Sequence, residues 1–476
     1  MDLYILFTYL YIYIFLILPV LEYVVMNDTV NSDHLKIPKK KFHLIQPLMF
    51  VIISFLLVIL IGSILLVLPI SSSDISTHLH YIDALFLSVS AVCVTGLSTI
   101  ASIGDTLSVF GKIVICLLIQ IGGLGLVTIV SFIMVASGRR LDLFTASVVK
   151  ESLSQSGYSE LRTLLKHIII ITIVMETFGT GMNLIVFASD YPFWEALGIS
   201  IFHSVSSFNN AGFDIIGSTS MIAYKDNILL NLNTCFLILC GGLGFLVYED
   251  VFLSRRWHKF SIQTRIVLIT NGILIILSFF LVKILQGDSI TWLQAFFYSV
   301  NLRTAGFTTF DVGNTITSSN VILSSVLMFI GGSPLSTAGG IKTTTFFIIL
   351  ASIGSLFTGK QPIVYKRELS KGCIRKALIL FIIALLGVFL GIFFISINEG
   401  NKFTFTQMFY ECFSAFGTVG LSMGITTELS VLSKLVLCLL MFFGRLGPVT
   451  ILAVWKPFFK HKGDDIFYLE TDISVG

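Results

Sequence analysis

Four glycine-centred motifs in the sequence have residue types suited to binding a cation through backbone oxygen atoms. They read SAVCVTGLS, SSFNNAGFD, NLRTAGFTT and SAFGTVGLS, and no acidic residue lies in the triplets around their glycines. Glycine permits positive-φ backbone that aims carbonyl oxygens inward without a Cβ clash, and a ring of carbonyls can replace part of a cation's hydration shell. Potassium, large and weakly hydrated, suits such neutral ligands. The candidate filter positions are Thr95, Gly96, Ala211, Gly212, Ala305, Gly306, Val419 and Gly420.

The motifs belong to a repeated unit. Their glycines are 116, 94 and 114 residues apart, and an aromatic residue (Phe86, Phe202, Phe296 or Tyr410) lies ten residues before each. A second glycine register, GGLG, GGLG, GGSP and GRLG, begins at residues 122, 241, 331 and 444. Tight helix packing would explain one such motif but does not require four in fixed phase. The unit is therefore interpreted as a span, a re-entrant loop and a span with a glycine-weakened middle.

Composition indicates a membrane protein. Of 476 residues, 55% are hydrophobic and 12% charged, whereas soluble domains carry about 25% charged residues. A soluble enzyme is excluded, and a formal charge of +3 gives no basic balance that would indicate nucleic-acid binding. The seven cysteines form no CxxC pair, which argues against a zinc site or a disulfide framework. Ile341 separates Gly340 from Lys342, so a nucleotide P-loop is absent, and no acid/base or nucleophile constellation predicts enzymatic activity.

Eight apolar stretches are long enough to cross a hydrocarbon core of about 30 Å as helices. They lie near 46–70, 110–136, 164–188, 227–250, 264–286, 320–352, 374–396 and 431–455. The shorter segments 81–95, 195–211, 292–305 and 404–419 are typical of re-entrant elements that line a watery cavity. The predicted fold is an all-α polytopic membrane protein, with four span–re-entrant loop–span repeats around a pseudo-fourfold ion pore.

The predicted organisation is a leader, four repeats and a tail. The leader is 1–45, the repeats are 46–136, 164–250, 264–352 and 374–455, and the tail is 456–476. Lysine and arginine concentrate in the segments between repeats and acidic residues in those within them, so both termini are predicted to be cytoplasmic. Residues 1–25 are apolar enough to span, but we interpret them as a mis-called start rather than a functional helix.

The third repeat contains a candidate gate at 331–343. Four glycines and a proline in ten residues of an apolar stretch prevent a continuous helix. Arg445 replaces the glycine at its register position, and an arginine in mid-membrane is costly unless it faces a watery cavity. Snorkelling of Arg445 to the cytoplasmic face is the alternative. Glu411 is expected to hydrogen-bond loop backbone. The candidate gate residues are Gly331, Gly332, Ser333, Pro334, Gly339, Gly340, Lys342 and Arg445.

These motifs resemble the filter signatures of the Trk/Ktr/HKT superfamily of potassium transporters. The segment from Gly331 to Thr343 resembles its intramembrane gating loop, and Gly444 to Pro448 its arginine motif. The resemblance covers roughly residues 45–458, and the length is most similar to that of the bacterial Ktr-type (KtrB-like) membrane subunit.

The resemblance implies that Gly96, Gly212, Gly306 and Gly420 are filter glycines. Plant relatives with serine at the first position are sodium-permeable, so Gly96 implies potassium selectivity. The resemblance also implies a homodimer in the lipid of the cell membrane, with one pore per protomer. It implies a cytoplasmic nucleotide-binding regulatory ring (KtrA-like) as partner. Potassium would be the substrate, with sodium as a stimulating or symported coupling ion and no cofactor in the chain.

Two function classes remain open. One is a channel-like potassium uptake subunit, and the other is an alternating-access secondary transporter for cations with a midplane site at its broken helices. Four repeats in the same direction favour the first, because the second normally has paired inverted repeats. The basic cytoplasmic segments are explained either by topology or by docking of a regulatory ring, and the sequence does not separate the two.

Overall fold

The computed structural model describes residues 46–74, 78–125, 128–129, 131, 161–217, 220–254, 256–359 and 361–447. The predicted leader 1–45, most of the first inter-repeat linker and the tail 456–476 lie outside the described residues. The predictions for residues 1–25 and for the two termini therefore stay predictions.

The described chain is mostly helical. Its main helices are α1 Gln46–Val67, α2 Tyr81–Val92, α3 Val109–Leu124, α4 Leu161–Phe187, α5 Phe193–Phe208, α6 Ile228–Leu243, α7 Phe245–Ser254, α8 Ile262–Gln286, α9 Trp292–Asn301, α10 Ser318–Phe329, α11 Thr343–Thr358, α12 Lys371–Glu399, α13 Phe405–Gly417 and α14 Val431–Leu446. Short helical turns at Ile103–Thr106, Val312–Thr315, Ser220–Tyr224 and Thr426–Glu428 connect some of them.

Four of these helices, α1, α4, α8 and α12, contain an apolar stretch long enough to cross a membrane. Their apolar stretches have mean hydropathies between 1.8 and 3.2. Each is the first helix of one predicted repeat, and each is followed by one of the short helices α2, α5, α9 and α13. Large apolar side chains such as Ile64, Ile185, Ile284 and Ile397 are exposed along them, as expected for helices that face lipid.

The second helix of each predicted repeat is interrupted where the second glycine register lies. Helices α3, α6 and α14 each end at a glycine with positive φ, at Gly125 (82°), Gly244 (89°) and Gly447 (81°). Between α6 and α7 the axis bends by 93°. In the third repeat the helix stops at Phe329 and restarts at Thr343. The predicted spans 227–250 and 320–352 are therefore not continuous helices, and α3 and α14 end at Gly125 and Gly447 within the predicted spans 110–136 and 431–455.

The helices pack in an order that closes on itself. Each short helix contacts the long helix before it, as α2 contacts α1 and α5 contacts α4. The interrupted helix that follows contacts the short helix of the next set, so that α3 meets α5, α6 meets α9, α10 meets α13, and α14 meets α2. This closed order brings the ends of the four short helices together.

A two-stranded hairpin interrupts the otherwise helical architecture, which the sequence did not predict. Strands β1 (Ile363–Val364) and β2 (Arg367–Glu368) pair antiparallel, with Val364 opposite Arg367. The two turn residues, Tyr365 and Lys366, both have positive φ, as a two-residue turn of the primed kind requires. Arg265 of α8 lies 5.3 Å from the centre of the Tyr365 ring, so the hairpin packs onto that helix.

Candidate functional site

The four motif glycines lie next to one another in a closed ring, hereafter the glycine ring. Their φ angles are 96°, 68°, 82° and 91° for Gly96, Gly212, Gly306 and Gly420. These positive values lie in a region that side chains rarely adopt, so glycine is required at each of the four positions.

Each glycine of the ring abuts a carbonyl oxygen of the next loop. A Cβ atom added at Gly96 would lie 2.5 Å from the oxygen of Ala211. Cβ atoms at Gly212, Gly306 and Gly420 would come still closer to the oxygens of the next loop. Those oxygens belong to Ala305, Val419 and Thr95 in turn, so the order returns to its start. The eight candidate filter positions of the sequence are thus brought together at one place.

The loop backbone repeats the same conformation four times. Two residues before each glycine, a non-glycine residue has positive φ, namely Val94 (57°), Asn210 (60°), Thr304 (74°) and Thr418 (50°). Such a conformation costs about 1–3 kcal/mol per residue and persists only where the surroundings enforce it. Three of the four residues are β-branched, for which this region is least favourable. Their recurrence shows that the packing around the ring holds the loops against local preference.

The short helices provide part of that restraint through their carboxyl ends. The amide of the residue before each glycine donates to a carbonyl near the end of the preceding helix. The N···O distances are 2.8 Å for Thr95 to Ser90, 2.7 Å for Ala211 to Ser206, 3.0 Å for Ala305 to Asn301 and 2.9 Å for Val419 to Ser414. The Gly96 and Gly420 amides also donate to the Ser90 and Ser414 hydroxyls at 3.1 Å. The amides of the residues before the glycines are thus hydrogen-bonded within their own loops. The carbonyl oxygens of the same residues lie next to the glycine of a neighbouring loop.

A cavity of about 360 Å³, hereafter the vestibule, is lined by all four ring glycines and by residues that follow them. After each glycine comes a buried apolar residue (Leu97, Phe213, Phe307 or Leu421) and then a half-buried polar one (Ser98, Asp214, Thr308 or Ser422). The polar residues all line the vestibule. The sequence after each glycine therefore builds one wall of the same cavity.

Residues 331–343 pack against the chain that precedes the ring glycines. The Thr337 hydroxyl donates to the carbonyl of Phe208 at 3.2 Å, and a Cβ atom at Gly339 would clash with the side chain of Thr418. Since residues after the glycines line the vestibule, this segment lies on the opposite side of the ring.

The same segment is hydrogen-bonded to two interrupted helices. The Ser333 amide donates to Gly242 at the end of α6 (3.1 Å), and the Gly340 amide donates to Gly444 in α14 (3.1 Å). In return, the Phe245 amide donates to the Leu335 carbonyl at 2.9 Å. The segment is thus non-helical but well bonded.

Arg445 connects the segment to the first interrupted helix. Its guanidinium donates to the carbonyl of Thr337 and to those of Gly122 and Gly123 at 2.5 and 2.9 Å. Arg445 and Lys342 both line a second cavity, of about 640 Å³, together with Pro334 and Ser336. The structure therefore places Arg445 at this cavity with its charge on backbone oxygens, rather than snorkelling along α14.

The family described as TrkH, cation transport protein, matches residues 29–458. The chain belongs to the TrkH family.

Relatives and a structural neighbour within this family match most of the chain. It is 36% identical to the Ktr system potassium uptake protein B of Bacillus subtilis, over 89% of this chain and 95% of that protein. It is 35% identical to the potassium/sodium uptake protein NtpJ of Enterococcus hirae, over 86% and 92% of the two chains. The crystal structure of the potassium transporter TrkH from Vibrio parahaemolyticus superposes with a TM-score of 0.69 at 20% identity, covering 89% and 87%. The last likeness shows the TrkH fold alone.

Glu411 supports the loop that follows the fourth ring glycine of this TrkH-family chain. Its side chain is fully buried in α13 and accepts a hydrogen bond from the hydroxyl of Thr426. Thr426 in turn pairs with the hydroxyl of Ser422 at 3.0 Å. The backbone amide of Met423 in the same loop also donates to the Glu411 carboxylate, so Glu411 bonds loop backbone as the sequence predicted.

Arg303 is a site residue that the sequence reasoning missed. It is 5% exposed, and its guanidinium donates to the carbonyls of Ile330 and Gly331 at 3.1 and 2.8 Å and to the side-chain oxygen of Asn271 at 2.6 Å. Asn271 also donates to the Ser333 hydroxyl at 3.0 Å. The third loop is thereby tied to the start of the 331–343 segment. The available signal was a charge inside a membrane-embedded motif, where the other three motifs carry Cys93, Asn209 and Gly417.

A second missed group surrounds the second loop. The Asn209 side-chain amide donates to Gln120 of α3 at 3.0 Å and to Glu176 of α4 at 3.1 Å. Because Asn209 directly precedes Asn210 in its motif, these bonds anchor the base of the loop to two neighbouring helices. An acidic residue in the middle of a long apolar span was the available signal.

Proposed function

We propose that this chain is the ion-conducting membrane subunit of a Ktr-type potassium uptake system, with the glycine ring as its selectivity filter. In this proposal the four helix sets surround a pseudo-fourfold axis, and a potassium ion binds on it between the carbonyls of Thr95, Ala211, Ala305 and Val419. The proposal rests on the closed order of the ring. In it, each glycine abuts the carbonyl oxygen of the residue that precedes the glycine of the next loop. The names of the Bacillus subtilis and Enterococcus hirae relatives support potassium as the substrate.

The electrostatics of the ring favour a weakly hydrated monovalent cation. Neutral carbonyl dipoles replace a potassium ion's water more readily than the tightly held water of a divalent ion. The carboxyl ends of α2, α5, α9 and α13 precede the ring, and the partial negative charge of a helix carboxyl end favours a cation. The strained, hydrogen-bonded loops fix the residues before the ring glycines, so the carbonyls of those residues are held in place before the ion arrives.

The 331–343 segment is proposed as the gate. It lies beyond the ring from the vestibule and is held by exchangeable hydrogen bonds to α6 and α14 and by the guanidiniums of Arg303 and Arg445. A segment with two arrangements separated by a few kcal/mol is one that a bound partner can bias. Conduction is channel-like in this proposal, with the vestibule facing outside and both termini in the cytoplasm.

The proposed assembly is a homodimer in the cell membrane, with one pore per protomer. A cytoplasmic nucleotide-binding ring would act on the gate, and sodium would stimulate uptake. These points rest on the resemblance to Ktr-type subunits. The relative from Bacillus subtilis supports that resemblance, because it is 36% identical and is covered over 95% of its length.

The test is a flux measurement on the purified protein in proteoliposomes, with and without sodium. Wild-type protein should take up Rb⁺ in preference to Na⁺, and Gly96→Ser should lower that preference because its Cβ would displace the Ala211 carbonyl. A shift of 1–2 kcal/mol in relative binding corresponds to roughly a 5- to 30-fold change in the permeability ratio.

Gly198→Ser is the matched control, because Gly198 lies in the exposed part of α5 and a Cβ there meets nothing within 4 Å. It should keep the wild-type ratio. An unchanged ratio in folded Gly96→Ser protein would count against Gly96 as a filter residue.

A further inference from the structure

The polar residues that follow the ring glycines all line the vestibule. Each lies two positions after its glycine and each is half-buried in the vestibule wall: Ser98, Asp214, Thr308 and Ser422. Three of the four are hydroxyls and one is a carboxylate. Among the described residues that line the vestibule, Asp214 alone carries a charge.

Asp214 is held in place from within the vestibule wall. The Ile216 amide donates to its carboxylate at 3.4 Å, and the Gly217 amide and the Ser220 hydroxyl are further donors to it. The same Ser220 oxygen accepts from the Thr308 amide at 3.3 Å, so Asp214 and Thr308 are linked through one side chain. Three donors do not exhaust a carboxylate, which has about four acceptor positions.

The vestibule is large enough for a hydrated cation. Its volume of about 360 Å³ corresponds to roughly twelve water molecules at ~30 Å³ each. No basic side chain lines it among the residues that the structure describes, so the negative charge of Asp214 is not neutralised within the cavity.

We infer that Asp214 forms an entry site for a hydrated alkali-metal cation in the vestibule, next to the glycine ring. The inference rests on the proposed function of the ring. A single carboxylate beside low-dielectric walls raises the local cation concentration, and this effect falls with ionic strength. Because the ion keeps its water there, the site raises occupancy without choosing between potassium and sodium. The glycine ring selects between the ions, and Asp214 binds the hydrated ion before it reaches the ring.

The test measures the half-saturating Rb⁺ concentration for uptake into proteoliposomes at low ionic strength. Asp214→Asn should raise this concentration by about three- to tenfold, as expected when one nearby charge in a partly aqueous site is removed. The Rb⁺/Na⁺ permeability ratio should stay at the wild-type value. Asp214→Glu, which keeps the charge, should stay close to wild type. Asp288→Asn is the control, because Asp288 is fully exposed and does not line the vestibule.

The wild-type protein provides a second test that does not depend on a variant's folding. Raising ionic strength with an impermeant organic salt should raise the wild-type half-saturating concentration toward that of Asp214→Asn, which itself should respond little. An Asp214→Asn protein with unchanged half-saturation, or a wild-type value insensitive to salt, overturns the entry site. An altered permeability ratio would instead show that Asp214 only shapes the loop. Failure of the proposed filter is seen separately, as a Gly96→Ser protein with the wild-type ratio.

Discussion

Replacing Arg445 should open the proposed gate at residues 331–343, and the hydrogen bonds of its guanidinium indicate by how much. Its guanidinium joins Thr337 of the 331–343 segment to Gly122 and Gly123 at the end of α3. Hydrogen bonds to charged groups contribute about 1.5–3 kcal/mol each. Losing the bond to Thr337 alone would therefore shift the ratio of open to closed gate by about 10- to 150-fold.

Two variants separate the role of the bonds from the role of the charge. Arg445→Ala removes both, so basal Rb⁺ flux without any partner should rise at least about tenfold if the closed state predominates. Arg445→Lys keeps a positive charge at the 640 Å³ cavity but cannot reach three carbonyls in the same fork geometry. Its flux should lie between those of wild type and Arg445→Ala. If charge repulsion alone closed the pore, Arg445→Lys would behave as wild type.

The assay is Rb⁺ uptake into proteoliposomes at matched protein content, with folding checked by gel filtration and thermal unfolding in detergent. Leu439→Ala is a suitable control on the same helix, because Leu439 is half exposed on α14 and away from the cavity. Unchanged or reduced flux in both folded Arg445 variants would show that Arg445 does not hold the 331–343 segment closed, through either its hydrogen bonds or its charge.

Three further predictions test other parts of the account. Deletion of residues 335–340 should raise flux and weaken its dependence on the proposed cytoplasmic partner. Full partner-dependent activation of a folded, potassium-selective deletion protein would place the gate elsewhere. Asn271→Ala removes a partner of both Arg303 and Ser333 and should lower stability by about 1–3 kcal/mol, read as a lower midpoint of thermal unfolding, with raised basal flux; no change in either would show that the tie is not used. A chain that starts at Met26 should insert and transport like the full chain, because all ring residues lie downstream; loss of insertion would show that residues 1–25 are a signal or a helix.

Repetition in the sequence made the ring predictable. Four motifs with one glycine in fixed phase indicated four equivalent backbone positions, and the structure brings Gly96, Gly212, Gly306 and Gly420 together. The glycine of the second register likewise marked where α3, α6 and α14 end. Both signals depend on glycine's backbone freedom, which a sequence displays directly as residue type.

The strained residues of the loops could not be predicted in the same way. Val94, Thr304 and Thr418 favour extended backbone by their residue type, and their positive φ is imposed by packing against helices that are distant in the chain. Arg303 shows the same limit, because its acceptors at Ile330 and Gly331 lie 27 and 28 residues away. Such contacts follow from the closed packing order of the helices, which residue spacing alone does not contain.

Binding of a potassium ion on the axis of the glycine ring can be seen by anomalous scattering from bound Rb⁺. In crystals grown with Rb⁺, we expect an anomalous peak between the carbonyl oxygens of Thr95, Ala211, Ala305 and Val419, which should weaken or move in Gly96→Ser crystals. If protein that transports Rb⁺ shows a peak only elsewhere, such as at the polar group of Gln120, Glu176 and Asn209, the ring is not the ion-binding site.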